Sequence, residues 1–380
     1  MKNSSKIILG IVAIAIIVLV VLAVTKKPKQ VGTEGTVKVG ASLALTGDAV
    51  VWGEAEKNSI EMAVDEINKK GGMNGKKIEL VIDDMKSSNQ GSVASVSKLI
   101  NIDKVDYILG PTWSDSYQGG LPLSEQYNKL FLIPSATVTT IHTDTQFFKN
   151  VFSTYYRTDY QGRNYLNVTG KENVKTIYML VQNDPYYVDF TNYIRARAKE
   201  LGIAVTFDTV PAHTVDFRTK LIDIKNKKPD MVLVGFGSDQ EYHALYQQRM
   251  ELGLQDVPFY NSELIAEFGP KTEYKELLKN TFYVGFEPIP DDFAKKYKER
   301  FNTDPVFAAS IAYDTVYILK KTFENTDGTT DVMRNYLETN TFDTITFGST
   351  GFDKIHGVKE TKLDLFGYDS ELGDYKIIKQ

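Results

Sequence analysis

The sequence predicts an α/β fold in two lobes, with parallel sheets covered by helices on both faces. Three observations carry this expectation. The 380-residue chain, less an N-terminal stretch that cannot join a core, is long enough for about two domains. Short runs with strand character alternate again and again with apolar residues at helical spacing, the rhythm of βα units. No low-complexity segment or short-period repeat breaks that rhythm.

In chain order, Val37 to Leu43 alternates like a strand and runs into a Thr46-Gly47-Asp48 turn. Ile60, Ala63, Val64 and Ile67 then fall on one face of a helix that stops at Gly71-Gly72. Ile78 to Ile82 reads as the second strand, Val93, Val96, Leu99 and Ile100 as the second helix, and Val105 to Leu109 as the third strand. Further strands are expected at Leu130–Ile133, Thr176–Val181, Ala204–Val210 and Met231–Val234. Phe307, Ile311, Val316 and Ile318 to Leu319 mark a late helix with one apolar face.

Before the first strand lies a different kind of segment. Lys2 and Lys6 precede an unbroken apolar run from Ile7 to Val24, which ends at Thr25, Lys26, Lys27, Pro28 and Lys29. Its 18 residues are at the short end for crossing an apolar layer of about 30 Å, but longer than an ordinary signal-peptide core. Residues 1–25 are therefore expected to form a transmembrane anchor or an export signal, with 26–36 as a linker. The lysines on both flanks do not fix an orientation, and the rest of the chain would be anchored by one pass or released after cleavage. The chain has no cysteine, so it offers neither a disulfide nor a thiol for lipid attachment, thiolate catalysis or sulfur-based metal sites. A formal net charge of -5 gives no electrostatic reason to seek nucleic acid. A 42% hydrophobic content is that of a chain able to bury a core.

In open parallel sheets, ligands bind beyond the carboxyl ends of the strands. Gly110-Pro111-Thr112-Trp113-Ser114 follows the third strand and Pro134-Ser135-Ala136-Thr137 the fourth, both rich in hydroxyls and small residues. Ser114, Ser135 and Thr137 could cap the helices expected after them, or could offer donors to a ligand carboxylate beside free helical N–H groups. Both readings stand on sequence alone.

The opening of the chain is more specific. Leu45-Thr46-Gly47, Trp52-Gly53, Ala63-Val64-Asp65-Glu66-Ile67-Asn68, Gly71-Gly72-Met73-Asn74-Gly75 and Ile82-Asp83-Asp84 stand together at spacings that resemble the type I periplasmic solute-binding proteins of ABC importers, in their leucine/isoleucine/valine-binding branch. The resemblance runs from Val37 to the C-terminus. It implies two doubly wound parallel-sheet lobes with a hinge, residues 37–154 with 286–341 forming one and 155–285 with 342–380 the other. It implies a small ligand, foremost an amino acid, held between closing lobes and passed to ABC permease subunits, with no cofactor. Residue by residue, it carries Ser114 to the ligand's carboxylate, Ser135 and Thr137 to the positions whose backbone and side chain complete the carboxylate and ammonium contacts, Trp52 and Tyr187 to the aromatic walls, and Glu263 to the ligand's ammonium group. Trp113, Val188 and Gly235 to Asp239 depart from the family pattern, which implies a reshaped pocket. A sensing receptor domain that works through a membrane partner, with an amide or small carboxylic acid as ligand, is the alternative.

Enzyme signatures are missing. Gly71 to Lys77 lacks the residues of a phosphate loop. His142, His213, His243 and His356 stand far apart, without metal-ligand spacing. No catalytic residue and no metal ligand is expected.

Overall fold

The computed structural model describes residues 35–113, 118–142, 146–268, 275–286, 289–359 and 362–379. The apolar run from Ile7 to Val24 and the candidate Ser114 both lie outside them. Among the described residues, no helix is long and apolar enough to cross a membrane.

Strands β1 (Thr36–Leu43), β2 (Lys77–Asp84), β3 (Tyr107–Leu109), β4 (Phe131–Ile133) and β5 (Val151–Ser153) form one five-stranded sheet in the order β2-β1-β3-β4-β5. Every pairing in it is parallel. The second sheet repeats the plan. Strands β6 (Thr176–Gln182), β7 (Ala204–Val210), β8 (Met231–Gly235), β9 (Phe259–Asn261) and β10 (Thr281–Gly285) lie in the order β10-β9-β8-β6-β7, all parallel. Strands β13 (Asp364–Asp369) and β14 (Asp374–Lys379) extend it antiparallel beyond β10. In each sheet the strand order reverses direction once, beside β1 and beside β6, and such a switch point opens a crevice at the strands' carboxyl ends.

Strand composition explains the burial. β8 reads Met-Val-Leu-Val-Gly and is buried at every position, as a parallel strand covered on both faces must be. The Val50–Lys69 helix puts Ile60, Ala63, Val64 and Ile67 into the first core, the face expected from their spacing. The Phe307–Glu324 helix packs against it, with Ala309, Ala312, Val316 and Leu319 in the same core. Asp314 on that helix accepts hydrogen bonds from the backbone N–H groups of Ile345 and Thr346 and from the Thr346 hydroxyl, at 2.9, 3.0 and 2.6 Å.

The chain passes from the first sheet to the second after β5, and returns after β10 to helices whose Phe293, Tyr297, Met333 and Leu337 belong to the first core. A small antiparallel pair follows, β11 (Thr341–Thr344) with β12 (Gly348–Gly351). Phe342, Phe352 and Val358 also sit in the first core, and Ser153 at the end of β5 bridges to Gly357. The last passage to the second sheet thus comes after Val358, later than the boundary at Phe342 expected from the sequence.

Candidate functional site

Small residues let the site form where β1 meets the helix after it. The Val50–Lys69 helix approaches so closely that a Cβ on Gly53 would lie 2.0 Å from the Ala44 carbonyl oxygen. That approach swings Trp52 over the carboxyl ends of the first sheet, where it is buried to 3% exposure. Trp113, held at φ 47 in the left-handed region that bulky residues rarely enter, meets it edge-on at 6.0 Å, and Tyr155 does so at 6.1 Å.

These rings wall a cavity that Ser135, Ala136, Thr137 and Thr140 close from the first sheet's side. Gln182, Asp184, Tyr186, Tyr187, Gly237 and Leu264 line it from the second. Trp52 contributes more than area: its buried indole N–H has no hydrogen-bond partner among the described residues. The expected residues Trp52, Ser135, Thr137 and Tyr187 therefore share one cavity.

Thr137 occupies the N-cap position of the Val138–Ile141 helix but makes no side-chain cap bond; its hydroxyl lies 3.1 Å from that of Thr158 instead. The capping alternative thus does not describe it. That helix is a single turn, too short for the useful dipole expected there, so the donors at this end are side-chain hydroxyls. Ser135 Oγ accepts the Trp113 backbone N–H at 3.1 Å. Tyr187 is 2% exposed, its hydroxyl donates to the Phe236 carbonyl, and burial raises its pKa well above the usual phenol range. Gly235 makes room for this ring, since a Cβ there would lie 2.8 Å from it.

Glu263 lies apart from the other candidates, in the wall of a neighbouring cavity with Phe286 and Phe307. It is 9% exposed and accepts hydrogen bonds from the Tyr156 and Tyr186 hydroxyls and, at 2.8 Å, from Gln161 Nε2. Tyr186 joins the two regions, because its ring also lines the first cavity. The acid that itself lines the first cavity is Asp184, whose carboxylate also accepts the Tyr186 N–H at 2.9 Å and caps the Pro185–Glu200 helix.

Sequence reasoning missed Tyr155, Tyr186, Gln182, Asp184 and, behind the cavity, Glu56. Asp184-Pro185 carried a signal as a helix start; the others had none, because a lone Tyr or Gln in a loop is ordinary. Glu56 is wholly buried and accepts a hydrogen bond from the Thr112 hydroxyl. Burial pushes its pKa up to about 7 against the opposing effect of the Ser135 and Thr112 hydroxyls. Among the described residues no group of His, Asp and Glu is placed to hold a metal ion.

Comparison with known proteins adds to the geometry. Residues 36–371 match the family model described as periplasmic binding protein. The chain is 28% identical over 353 residues to the leucine-, isoleucine-, valine-, threonine- and alanine-binding protein of Pseudomonas aeruginosa, covering 88% of this chain and 91% of that one. The structure of the branched-chain amino acid transporter substrate-binding protein LivJ from Streptococcus pneumoniae in complex with isoleucine superimposes with a TM-score of 0.75 at 24% identity, covering 91% of this chain and all (100%) of that one. An ABC-transporter solute-binding protein from R. palustris in complex with benzoate gives a TM-score of 0.75 at 18% identity, over 91% and 96% of the two chains. These similar proteins are named for the solutes they bind and none for a reaction, in line with the expected receptor rather than an enzyme. With the family model matched from residue 36 to 371, the chain belongs to the periplasmic binding protein family.

Proposed function

We propose that this protein captures an amino acid, a branched aliphatic one foremost, outside the cytoplasm and delivers it to an ABC importer. The observation that carries the reading is the cavity walled by Trp52, Trp113, Tyr155 and Tyr187, with the hydroxyl residues Ser135, Thr137 and Thr140 lining it from the first sheet's side and Asp184 and Tyr186 from the second's. A zwitterion must have both charges met when it leaves water, while its aliphatic part needs an apolar wall. Ser114, Ser135 and Thr137 would hold the carboxylate, helped by the Trp52 indole N–H. Trp52 and Tyr187 would enclose the side chain. Glu263 would meet the ammonium group, directly or through Tyr186, with Asp184 on the same rim.

The carboxylate end lies on the first sheet and the acids on the second, so a bound ligand would favour the closed arrangement of two lobes. One lobe would hold residues 37–154 and 286–341 with the β11–β12 pair, and the other 155–285 with β13 and β14. The run from Ile7 to Val24 would tether the receptor to the membrane beside its permease. A thermal-shift and calorimetric screen of the full-length protein tests the reading. Leucine, isoleucine or valine at about 100 times the dissociation constant should add roughly 2.7 kcal/mol of stability. Stabilisation by benzoate and other amine-free acids alone would remove the ammonium role of the acids and with it the amino-acid assignment.

A further inference from the structure

The loops after β3 and β4 meet at one wholly buried side chain, Glu56, which is not among the residues that line the cavity. Its Oε2 accepts the Thr112 hydroxyl, and the Thr112 oxygen in turn accepts the Ala44 N–H at 3.1 Å. Its Oε1 is buried without a hydrogen-bond partner among the described residues, and the Ser135 hydroxyl lies near the carboxyl group. Ser135 lines the cavity and already accepts the Trp113 N–H.

A serine hydroxyl has one hydrogen and two lone pairs. The Trp113 N–H occupies one lone pair of Ser135. If Glu56 carries its proton on Oε1, that proton takes the second lone pair, and the only hydrogen Ser135 has is left to point into the cavity. If Glu56 is ionised, Oε1 takes the Ser135 hydrogen. The cavity then meets oxygen lone pairs with a buried negative charge behind them, which repels a carboxylate.

We propose that Glu56 is a positioning residue of the ligand site: held neutral, it turns the Ser135 hydroxyl into a donor and so makes this end of the cavity select a carboxylate. The proposal rests on the reading of Ser135 as part of the carboxylate end. Thr112 and Ser135, the groups placed beside the Glu56 carboxyl, are uncharged, so neither compensates an ionised form. Burial alone favours the neutral carboxyl, with half-ionisation near pH 7.

The test is calorimetric titration of L-leucine into the full-length protein at pH 5.5 and pH 8.5, a range over which both charges of leucine are constant. The wild type should lose up to about 30-fold in affinity on going to pH 8.5, the loss set by a site that titrates near pH 7. Glu56→Gln keeps the shape and supplies a permanent donor, and should bind within about threefold of the wild type's pH 5.5 affinity at both pH values. An unchanged wild-type affinity across the range, or an equal loss in Glu56→Gln, overturns the proposal. If L-leucine binds the wild type at neither pH, the amino-acid reading falls instead, and Glu56 is decided without ligand. The chain's two tryptophans, Trp52 and Trp113, both line this cavity. Their emission should titrate near pH 7 in the wild type and not in Glu56→Gln, and a flat wild-type trace again overturns the proposal.

Discussion

A buried carboxylate costs several kcal/mol unless donors meet it, and Glu263 is met by Tyr156, Tyr186 and Gln161. Glu263→Ala leaves those donors, and on the proposed function the ligand's ammonium group, without their acceptor. Amino-acid affinity measured by calorimetry should fall by about 3 to 5 kcal/mol, against about 1.5 to 3 kcal/mol for Ser135→Ala, which removes one hydrogen bond to the ligand's charged group along with the acceptor of the Trp113 N–H. Equal losses in the two variants would count against Glu263 as the ammonium partner. Two other acids contribute to how stability depends on pH. Burial raises Glu56 from 4.5 to about 7, and Asp314 from 3.8 to about 6 although three donors oppose it. The folded chain therefore keeps protons that the unfolded chain gives up. Their stabilising contribution is complete below about pH 4 and is lost as the pH rises through about 6 and 7. Glu56→Gln should abolish the Glu56 share, so that urea denaturation finds it up to about 3 kcal/mol more stable relative to the wild type at pH 8 than at pH 4.

Each long element rests on a pattern of side chains that is visible along the chain. Val37 to Leu43 and Met231 to Val234 could hardly be anything but buried strands, and the Ile60, Ala63, Val64, Ile67 face is a helix's. Other elements were not legible in this way. β5 has three residues, too few to show a sustained alternation, and tertiary pairing decides it. The antiparallel β13 and β14 carry mixed polar residues because they lie beyond the edge of a parallel sheet, and nothing local ties them to β10. The candidate site was legible where it touched a strand end, as with Ser135 and Thr137. Glu56 was not, because a Glu between Ala55 and Lys57 on an amphipathic helix has the sequence of a solvated face. What buries it is the close approach at Gly53, a contact between elements that no single-residue pattern encodes. Gly53→Ala should force the Val50–Lys69 helix off β1. The expected cost is about 3 kcal/mol in urea denaturation, the upper part of the range for overpacking, together with weakened ligand binding through displaced Trp52. Unchanged stability would show that the helix can shift freely.

Between the two sheets, Asp189 is the most direct polar link beside the cavity. It accepts the hydroxyls of Thr139, which follows β4, and Thr158, at 2.6 and 2.9 Å, from a helix that follows β6. Thr158 lies on the same side as Asp189, so only the Thr139 bond exists solely while the two sides are close. Asp189→Ala should favour the open form, enlarging the ligand-free particle in small-angle scattering and weakening ligand binding about tenfold without touching the ligand. Unaltered scattering and affinity would leave Asp189 a local brace. For the segment outside the described residues, the expectation is that the mature protein keeps Ile7 to Val24 and stays with membranes through a salt wash; an intact mass that begins near Val24 would make it a released receptor. The passages after β5, after β10 and after Val358 constrain the motion itself. One tether lets a body swivel about every axis, whereas three connections remove much of that freedom. Opening along one coordinate is the expected result. Dye pairs attached at quite different heights across the mouth should change separation in step as solute is added, with a common midpoint and no intermediate distances.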